Sequence, residues 1–227
     1  MKIFNGIRKK EIAFTLAEVL ITLGIIGIVA AMTIPNLMTN YAKKRTALQV
    51  KTFYSKINQT FKLSSADNGD VDGWITQKNY TYEENVEFLN QYIFPYMKHL
   101  DYNNCKENNV CVKLIDGGLM TFKVDSNGGD ISYWTDTKKA EEYYKNNNIK
   151  NKPRYYFIFQ FAKFVDQTHE RINAKEFVEP YTFDWDGTDE NLVEHHLLGC
   201  KKGCYYCAFC TKMIQLNSWE IPKDYPW

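Results

Sequence analysis

The sequence has almost no net charge and lacks the motifs that mark most enzymes. Its 28 Lys and Arg residues balance 27 Asp and Glu residues, so the formal net charge is only +1. A strongly basic surface for nucleic acid is therefore not indicated. We also find no phosphate-binding loop, no dinucleotide fingerprint and no nucleophile–base–acid set at a meaningful spacing. These absences predict a protein that is not an enzyme and does not bind nucleic acid.

One long apolar run, FTLAEVLITLGIIGIVAAMTI, occupies residues 14–34. As a helix, about 21 residues at about 1.5 Å each span about 31 Å, which matches the hydrocarbon core of a membrane. This length disfavours the core helix of a soluble protein. Two simple alternatives stay open at this point. The run is either a plain anchor or a secretory signal peptide, with a basic start and a small-residue cleavage site at residues 29–31.

Glu18 argues against both simple alternatives. A carboxylate inside a membrane helix costs about 2.5–3.5 kcal/mol on insertion scales and needs a partner. Neither a signal peptide nor a plain anchor gains anything from that cost. Glu18 lies four residues after Phe14, about one helical turn. We therefore treat Glu18 as a functional residue.

Residues 9–18, KKEIAFTLAE, resemble the prepilin peptidase site of type IV pilins and type II secretion pseudopilins. The resemblance implies cleavage between Ala13 and Phe14, N-methylation of Phe14, and an assembly role for Glu18. In the family this glutamate pairs with the N-terminal amine of a neighbouring subunit. The family usually has Gly before the cut, where this chain has Ala13. Pro35 corresponds to a proline that the family often carries in the mature helix, and it predicts a kink there.

The resemblance also implies a function and a location. We expect a non-enzymatic pilin-like subunit, a minor pseudopilin of a type II secretion system, assembled into a filament from the inner membrane. Its expected partners are prepilin peptidase/methyltransferase, other pilin-like subunits, the inner-membrane assembly platform and membrane lipid. The leader would lie in the cytoplasm and the globular domain outside. The alternatives are a pilus subunit for adhesion or DNA uptake, an anchored extracytoplasmic module that does not polymerise, and a cytosol-facing metal protein.

The predicted domains are a leader at residues 1–13, a long N-terminal helix at 14–64 with its membrane span at 14–34, and a globular domain at 65–227. Beyond Pro35 the apolar residues continue at steps of three to four, which is typical of an amphipathic helix. The alternative is a break between the span and a separate soluble helix at residues 33–40. Either way, the second half of the helix is expected to pack on the globular domain.

The globular domain combines helices with strands. Residues 83–100 predict a helix, with Pro95 kinking or splitting it. Residues 110–115 and 119–124, joined by Asp-Gly-Gly, predict a hairpin. Further strands are predicted at residues 131–135, 155–161 and 181–185, and a short helix at 138–145. The expected fold class is α+β, with the long helix packed on a small antiparallel sheet in the manner of pilins.

The six cysteines fall into two groups. Cys105 and Cys111 flank a short loop and are expected to pair outside the cytoplasm. Cys200, Cys204, Cys207 and Cys210 are expected to form two disulfides whose connectivity the sequence does not give. A structural zinc site is the alternative for this cluster. The spacing of its first three members also matches that of radical-SAM iron–sulfur enzymes.

Two Asp-rich segments are weak candidates for Ca²⁺. The first includes Asp125, Asn127 and Asp130, and the second covers residues 184–189. Oxygen ligands of this type suit Ca²⁺, but neither segment matches an EF-hand loop. Ordinary turns are the simpler interpretation for both, and no cofactor is expected. His195 and His196 are expected to be exposed loop residues, with a metal role as the alternative.

Overall fold

The computed structural model describes residues 14–74, 81–106, 108–125, 128–146, 152–161 and 175–227. They belong to two compact units, one ending at Ala42 and the other spanning Lys43–Trp227. The described part of the first unit is helical from Leu16 onward. The second contains helices and one sheet of six strands. The predicted α+β, pilin-like fold class, with a long N-terminal helix and an antiparallel sheet, is confirmed.

Helix α1 spans Leu16–Asn68. It ends where Gly69 adopts a φ of 78°, a conformation that closes helices readily only for a residue without Cβ. The helix runs through Pro35, so the break proposed as an alternative at residues 33–40 does not occur. The buried residues of α1 all follow Arg45 and recur at helical spacing: Thr46, Ala47, Val50, Phe53, Ile57, Asn58, Thr60, Phe61 and Ser64.

Helix α2 spans Tyr82–Phe88 and continues as a π-helical turn over Leu89–Ile93. Thr81 and Glu84 form a capping box at its start. The predicted helix at residues 83–100 was too long, because strand β1 already begins at His99. Phe94 still has helical backbone angles, and the chain leaves the helix through a turn at residues 94–96, where Pro95 has no N–H to continue the hydrogen-bond ladder.

The sheet is an antiparallel meander in which every strand pairs with its sequence neighbours. Its strands are β1 (His99–Lys106), β2 (Asn109–Leu114), β3 (Leu119–Asp125), β4 (Gly128–Trp134), β5 (Tyr156–Phe161) and β6 (Val178–Pro180). The predicted β2–β3 hairpin is confirmed, and Gly117 supplies its turn with a φ of 84°. The strands predicted at 131–135 and 155–161 correspond to β4 and β5.

The strand predicted at residues 181–185 is wrong. Strand β6 lies just before that segment, and Thr182 accepts a hydrogen bond from the backbone N–H of Trp185 in a turn. Asp184 has a φ of 62° in this turn, which is incompatible with extended backbone. The aromatic residues that suggested a strand are therefore part of a compact turn.

One face of the sheet carries the main core, against the part of α1 that follows Lys43. The Phe53 ring stacks on Tyr133 at 4.3 Å between centroids, and Phe61 meets Phe161 edge-on at 5.0 Å. The Asn58 side chain pairs with β6 in the way that a neighbouring strand would. Its Nδ2 donates to the Val178 carbonyl, and its Oδ1 accepts from the Val178 N–H. These contacts fix α1 against β4, β5 and β6.

The opposite face is covered in part by α3 (Thr137–Asn146), a helix predicted at 138–145. Trp134 is fully buried beneath it. The C-terminal segment adds α4 (Asp189–Glu194) and α5 (Cys210–Leu216). Thr211 of α5 accepts a hydrogen bond from the Ile158 N–H, while the Tyr181 N–H, just after β6, donates to the Ile158 carbonyl. Between α3 and the C-terminal segment the sheet face stays open.

Candidate functional site

The start of α1 forms a capping box between Thr15 and Glu18. The Thr15 N–H and hydroxyl donate to Glu18 Oε2 at 2.8 and 2.9 Å, and the Glu18 N–H donates to Thr15 Oγ1 at 3.2 Å. Two otherwise unpaired backbone donors are thereby satisfied. The carboxylate is held at the first turn, next to the residue expected to become the new N-terminus. Thr15 was missed by the sequence prediction, although the Thr-x-x-Glu spacing is a known signal.

Phe14 precedes the helix and leaves 81% of its surface exposed. Ala13 and the rest of the leader at residues 1–13 lie outside the described residues. Cleavage between Ala13 and Phe14, and methylation of Phe14, therefore stay predictions. An exposed, non-helical backbone at Phe14 is compatible with access by a peptidase.

The first part of α1 exposes all of its large apolar side chains. From Leu16 to Tyr41 these are Leu, Ile, Val, Met and Tyr side chains with 42–77% of their surface exposed. This helix alone, within the described ranges, is long and apolar enough to cross a membrane. A Cβ placed on Gly24 or Gly27 would meet nothing within 4 Å, so neither glycine is needed for a close contact inside this chain. A surface of this kind requires lipid or other helices around it.

Pro35 lies within α1 and removes one backbone donor from its ladder. Near it, Thr33 donates its hydroxyl to the Val29 carbonyl and Thr39 donates to the Pro35 carbonyl, each at 2.9 Å. Hydroxyls that bond back to the preceding turn satisfy polar groups within the helix itself. The predicted kink at Pro35 stays a prediction. A basic stretch, Lys43, Lys44 and Arg45, follows the apolar part.

All six cysteines are paired in disulfides, as the sequence predicted for an exported domain. Cys105 pairs with Cys111 between β1 and β2. In the C-terminal cluster Cys200 pairs with Cys210, and Cys204 pairs with Cys207. A zinc or iron–sulfur site requires free thiolates, so the paired cluster does not provide its ligands.

The candidate metal ligands are not brought together among the described residues, where no group of three or more His, Cys, Asp or Glu side chains could hold a metal ion. Asp125 ends β3 and Asp130 lies in β4, whereas Asn127 lies outside the described residues. In the second segment, Asp186 accepts hydrogen bonds from the Thr188 N–H and hydroxyl, which is an ordinary Asx turn before α4.

The two adjacent histidines, His195 and His196, follow the end of α4, and His195 contacts neighbouring residues there. His195 Nδ1 accepts a hydrogen bond from the Leu198 N–H at 3.1 Å. Its ring meets Phe209 edge-on at 5.4 Å and lies 4.7 Å from the His196 ring. A ring nitrogen that accepts a backbone hydrogen bond is not available as a metal ligand. This bond involves Nδ1 only, so the metal role proposed as the alternative for this pair stays a prediction.

Comparisons with known proteins give two matching family models. One, described as the prokaryotic N-terminal methylation motif, matches residues 8–34. It is the signal of type IV pilins and pseudopilins, so the resemblance seen in residues 9–18 is confirmed. The other, described as a family of unknown function (DUF6613), matches residues 36–227. Neither the search of curated proteins nor that of solved structures found a match.

Proposed function

We propose that this chain, which belongs to the family of unknown function DUF6613, is a minor pseudopilin of a type II secretion system. Its methylation motif is that of a pilin- or pseudopilin-type subunit. In this proposal, prepilin peptidase cuts between Ala13 and Phe14 and methylates Phe14. The mature chain then leaves the inner membrane by joining a filament of pilin-like subunits. The leader faces the cytoplasm and the globular domain lies outside.

The observation that carries the proposal is the position of Glu18 at the start of the exposed apolar part of α1. Its carboxylate lies on the first turn of α1, and every large apolar side chain of residues 14–41 is exposed. In lipid, such a carboxylate is costly unless it meets a positive charge. Cleavage creates that charge, because the new N-terminus is an amine one turn away from Glu18. A neighbouring chain offers the same amine at the same depth.

Assembly then follows from pairing between chains. Glu18 of one subunit accepts hydrogen bonds from the N-terminal amine of the next, in a low-dielectric environment where charge pairing is strong. Thr15 keeps the carboxylate oriented until the partner arrives. The exposed apolar surface of α1 meets neighbouring helices, and Gly24 and Gly27 allow their close approach. The pair fixes the stagger between subunits, and helix packing supplies the contact area.

The disulfides agree with an extracytoplasmic position for the globular domain. The domain has three disulfides, and disulfides persist mainly in oxidising compartments such as the periplasm or the cell surface. The proposed partners are prepilin peptidase/methyltransferase, the assembly platform of the inner membrane, other pilin-like subunits and lipid. No enzymatic activity and no metal are part of this proposal.

The first test is mass spectrometry of the mature N-terminus in the cells that produce the chain. We expect N-methyl-Phe14 as the first residue. A chain that begins at Met32 would identify a signal peptide instead, and an intact Met1 would contradict processing. Either result would refute the proposal.

The second test is Glu18→Ala, with Glu190→Ala as the matched control. Glu190 is an exposed acid of α4 outside the proposed assembly site. We expect Glu18→Ala to be processed and membrane-bound but absent from sheared filaments, and secretion of cargo to fall. Glu190→Ala should behave as wild type. Normal filaments in Glu18→Ala would contradict the assembly role. Loss of surface piliation without loss of secretion would favour the pilus alternative.

A further inference from the structure

A cleft of about 460 Å³ opens on the sheet face opposite the one covered by α1. Its floor is a row across three neighbouring strands, since Thr121 of β3 pairs with Ser132 of β4, and Ser132 pairs with Ile158 of β5. Alternation along the strands places these three side chains on one face. Helix α3 and the C-terminal segment form the two walls. The cleft thus lies wholly within the second unit.

The lining of the cleft is rich in tyrosine. Five tyrosines contribute to it: Tyr143, Tyr144, Tyr156, Tyr181 and Tyr206. Each brings an aromatic ring and a hydroxyl that can donate one hydrogen bond and accept others, and the hydroxyls of Tyr144 and Tyr156 already bond to Thr121 and Ser132. The floor adds the hydroxyls of Thr121 and Ser132. The lining therefore combines aromatic rings with hydroxyl groups and is not a purely apolar pocket.

The rings on the α3 side are fixed in place from behind. Buried Trp134 contacts Tyr143, Tyr144 and Tyr156, with centroid distances of 5.1, 6.0 and 4.6 Å. The ammonium of Lys152 lies 4.7 and 4.5 Å from the centroids of Tyr143 and Tyr156. Ser132 donates its hydroxyl to Tyr156 at 3.0 Å. Rings held in this way lose little freedom when a ligand binds, which favours affinity.

This chemistry is suited to a sugar. A pyranose presents C–H groups on its flat faces, which pack on aromatic rings, and hydroxyls around its edge, which bond to other hydroxyls. A cleft of this volume is at the small end of ligand sites and holds roughly one or two sugar rings. Lys106, Lys123 and Asp130 also line the cleft, so its charged groups are of both signs with one more cation than anion, which suits a neutral or acidic sugar.

We propose that this tyrosine-lined cleft is a saccharide-binding site, taking a segment of one or two sugar rings. The proposal goes beyond the assembly role, because the cleft involves no residue of the N-terminal helix. On an extracytoplasmic domain it would meet glycans of the cell envelope or of a target surface.

The test is binding of disaccharides to the full-length chain in detergent micelles. The probes are N,N′-diacetylchitobiose, cellobiose, maltose and lactose, each titrated up to about 10 mM, a range that covers weak binding. Saturation-transfer NMR reports which sugar protons contact the protein. We expect at least one probe to bind saturably. If none of the four binds, the proposal is overturned. Because monomers in detergent are measured, the result does not depend on filament formation.

Two neighbouring tyrosines provide a matched pair of variants. Tyr206 lines the cleft, whereas Tyr205 does not, and both are largely exposed, at 44% and 66%. We expect Tyr206→Ala to weaken sugar binding about tenfold, the loss of one stacked ring. Tyr205→Ala should bind as wild type. Equal affinities for the two variants would refute the site.

Tyr181→Phe is a second variant that keeps the ring and removes only the hydroxyl. We expect a weaker loss of affinity than in Tyr206→Ala, and unchanged near-ultraviolet circular dichroism. A sugar whose binding is unaffected by both Tyr206→Ala and Tyr181→Phe lies elsewhere, and that result would also overturn the proposal.

Discussion

At the scale of single residues, Lys152 is a positively charged residue in a buried position, where desolvation of the charge lowers stability. Only 8% of its surface is exposed. Its Nζ donates to the Tyr205 carbonyl at 3.1 Å, and two tyrosine rings flank it. Burial lowers the pKa of the Lys152 ammonium to about 8, below its ordinary 10.5. The folded protein therefore releases this proton before the unfolded chain does. Stability is lower below pH 8 and rises as the pH increases from about 8 towards 10.5.

We expect Lys152→Met to remove this rise in stability. The free energy of unfolding at pH 7 should increase by up to about 3 kcal/mol, less whatever the lost hydrogen bond and ring contacts contribute. Urea unfolding at pH 7 and pH 9 measures the effect. Burial raises the pKa of tyrosines such as Tyr225 in the folded protein. In the unfolded chain they ionise near pH 10, so the stability falls again above that pH.

Lys202→Met is the control for this measurement, since Lys202 is exposed. It should leave the stability difference between pH 7 and pH 9 unchanged. The role assigned to Lys152 would be wrong if Lys152→Met kept the full wild-type difference.

Asn58 is a second residue whose polar side chain is buried for a structural reason. It satisfies both backbone groups of Val178. We expect Asn58→Leu to destabilise the protein by about 3 kcal/mol, because it leaves a buried N–H and a buried carbonyl without partners. Thermal unfolding followed by tryptophan fluorescence is the measurement. Gln59→Leu, at the exposed neighbouring position, should change stability little. Equal effects of the two changes would disprove the pairing.

At the scale of elements, the sequence predicted what short-range patterns specify. The β2–β3 hairpin followed from alternation and its Asp-Gly-Gly turn. Strands β1 and β6 were missed because their pairing comes from the tertiary fold. Strand β1 is polar and largely exposed, and β6 has only three residues and ends at Pro180. Helix α5 was missed because disulfides and core contacts stabilise it, rather than a clear helical pattern.

The pairing of β4 with β5 depends on a glycine. Gly129 is opposite Phe161, and a Cβ at Gly129 would overlap the Phe161 ring. The ring covers the glycine, an arrangement that protects the exposed backbone of a strand glycine. We expect Gly129→Ala to destabilise the protein by about 1–3 kcal/mol, since a buried aromatic ring must move. Thermal unfolding measures this loss.

Gly73→Ala is the matched control, because a Cβ there meets nothing within 4 Å. It should alter the midpoint of unfolding by much less. If Gly129→Ala were as stable as wild type, the expected steric overlap between its Cβ and the Phe161 ring would be wrong.

At the scale of the whole molecule, the exposed apolar surface and the folded core lie on different parts of the chain. The exposed apolar side chains of α1 are concentrated in residues 14–41, whereas its buried residues begin at Thr46. We expect a chain of residues 43–227 to be soluble, monomeric and as stable as the full chain in detergent. Size-exclusion chromatography and thermal unfolding test this. Aggregation or a clearly lower unfolding midpoint would show that the first unit contributes to the core.

The candidate assembly site was predicted from sequence because its chemistry is local. Phe14 and Glu18 both lie within the apolar run of residues 14–34, and a charged residue in such a run is easily noticed. Thr15 adds a contact within the same turn. The tyrosine-lined cleft was not predicted, because its floor and walls come from positions scattered between β1 and the segment before α5. Only the strand register brings them together.

The pairing of Asn58 with Val178 joins residues 120 positions apart in the chain. Because α1 precedes the sheet in the sequence, its buried residues, from Thr46 to Ser64, are made before the strands that cover them. High contact order of this kind slows folding. The Asn58 side chain stays unpaired until the chain has been made as far as Val178. Under the proposed function, completion of this core is therefore a late event that follows export.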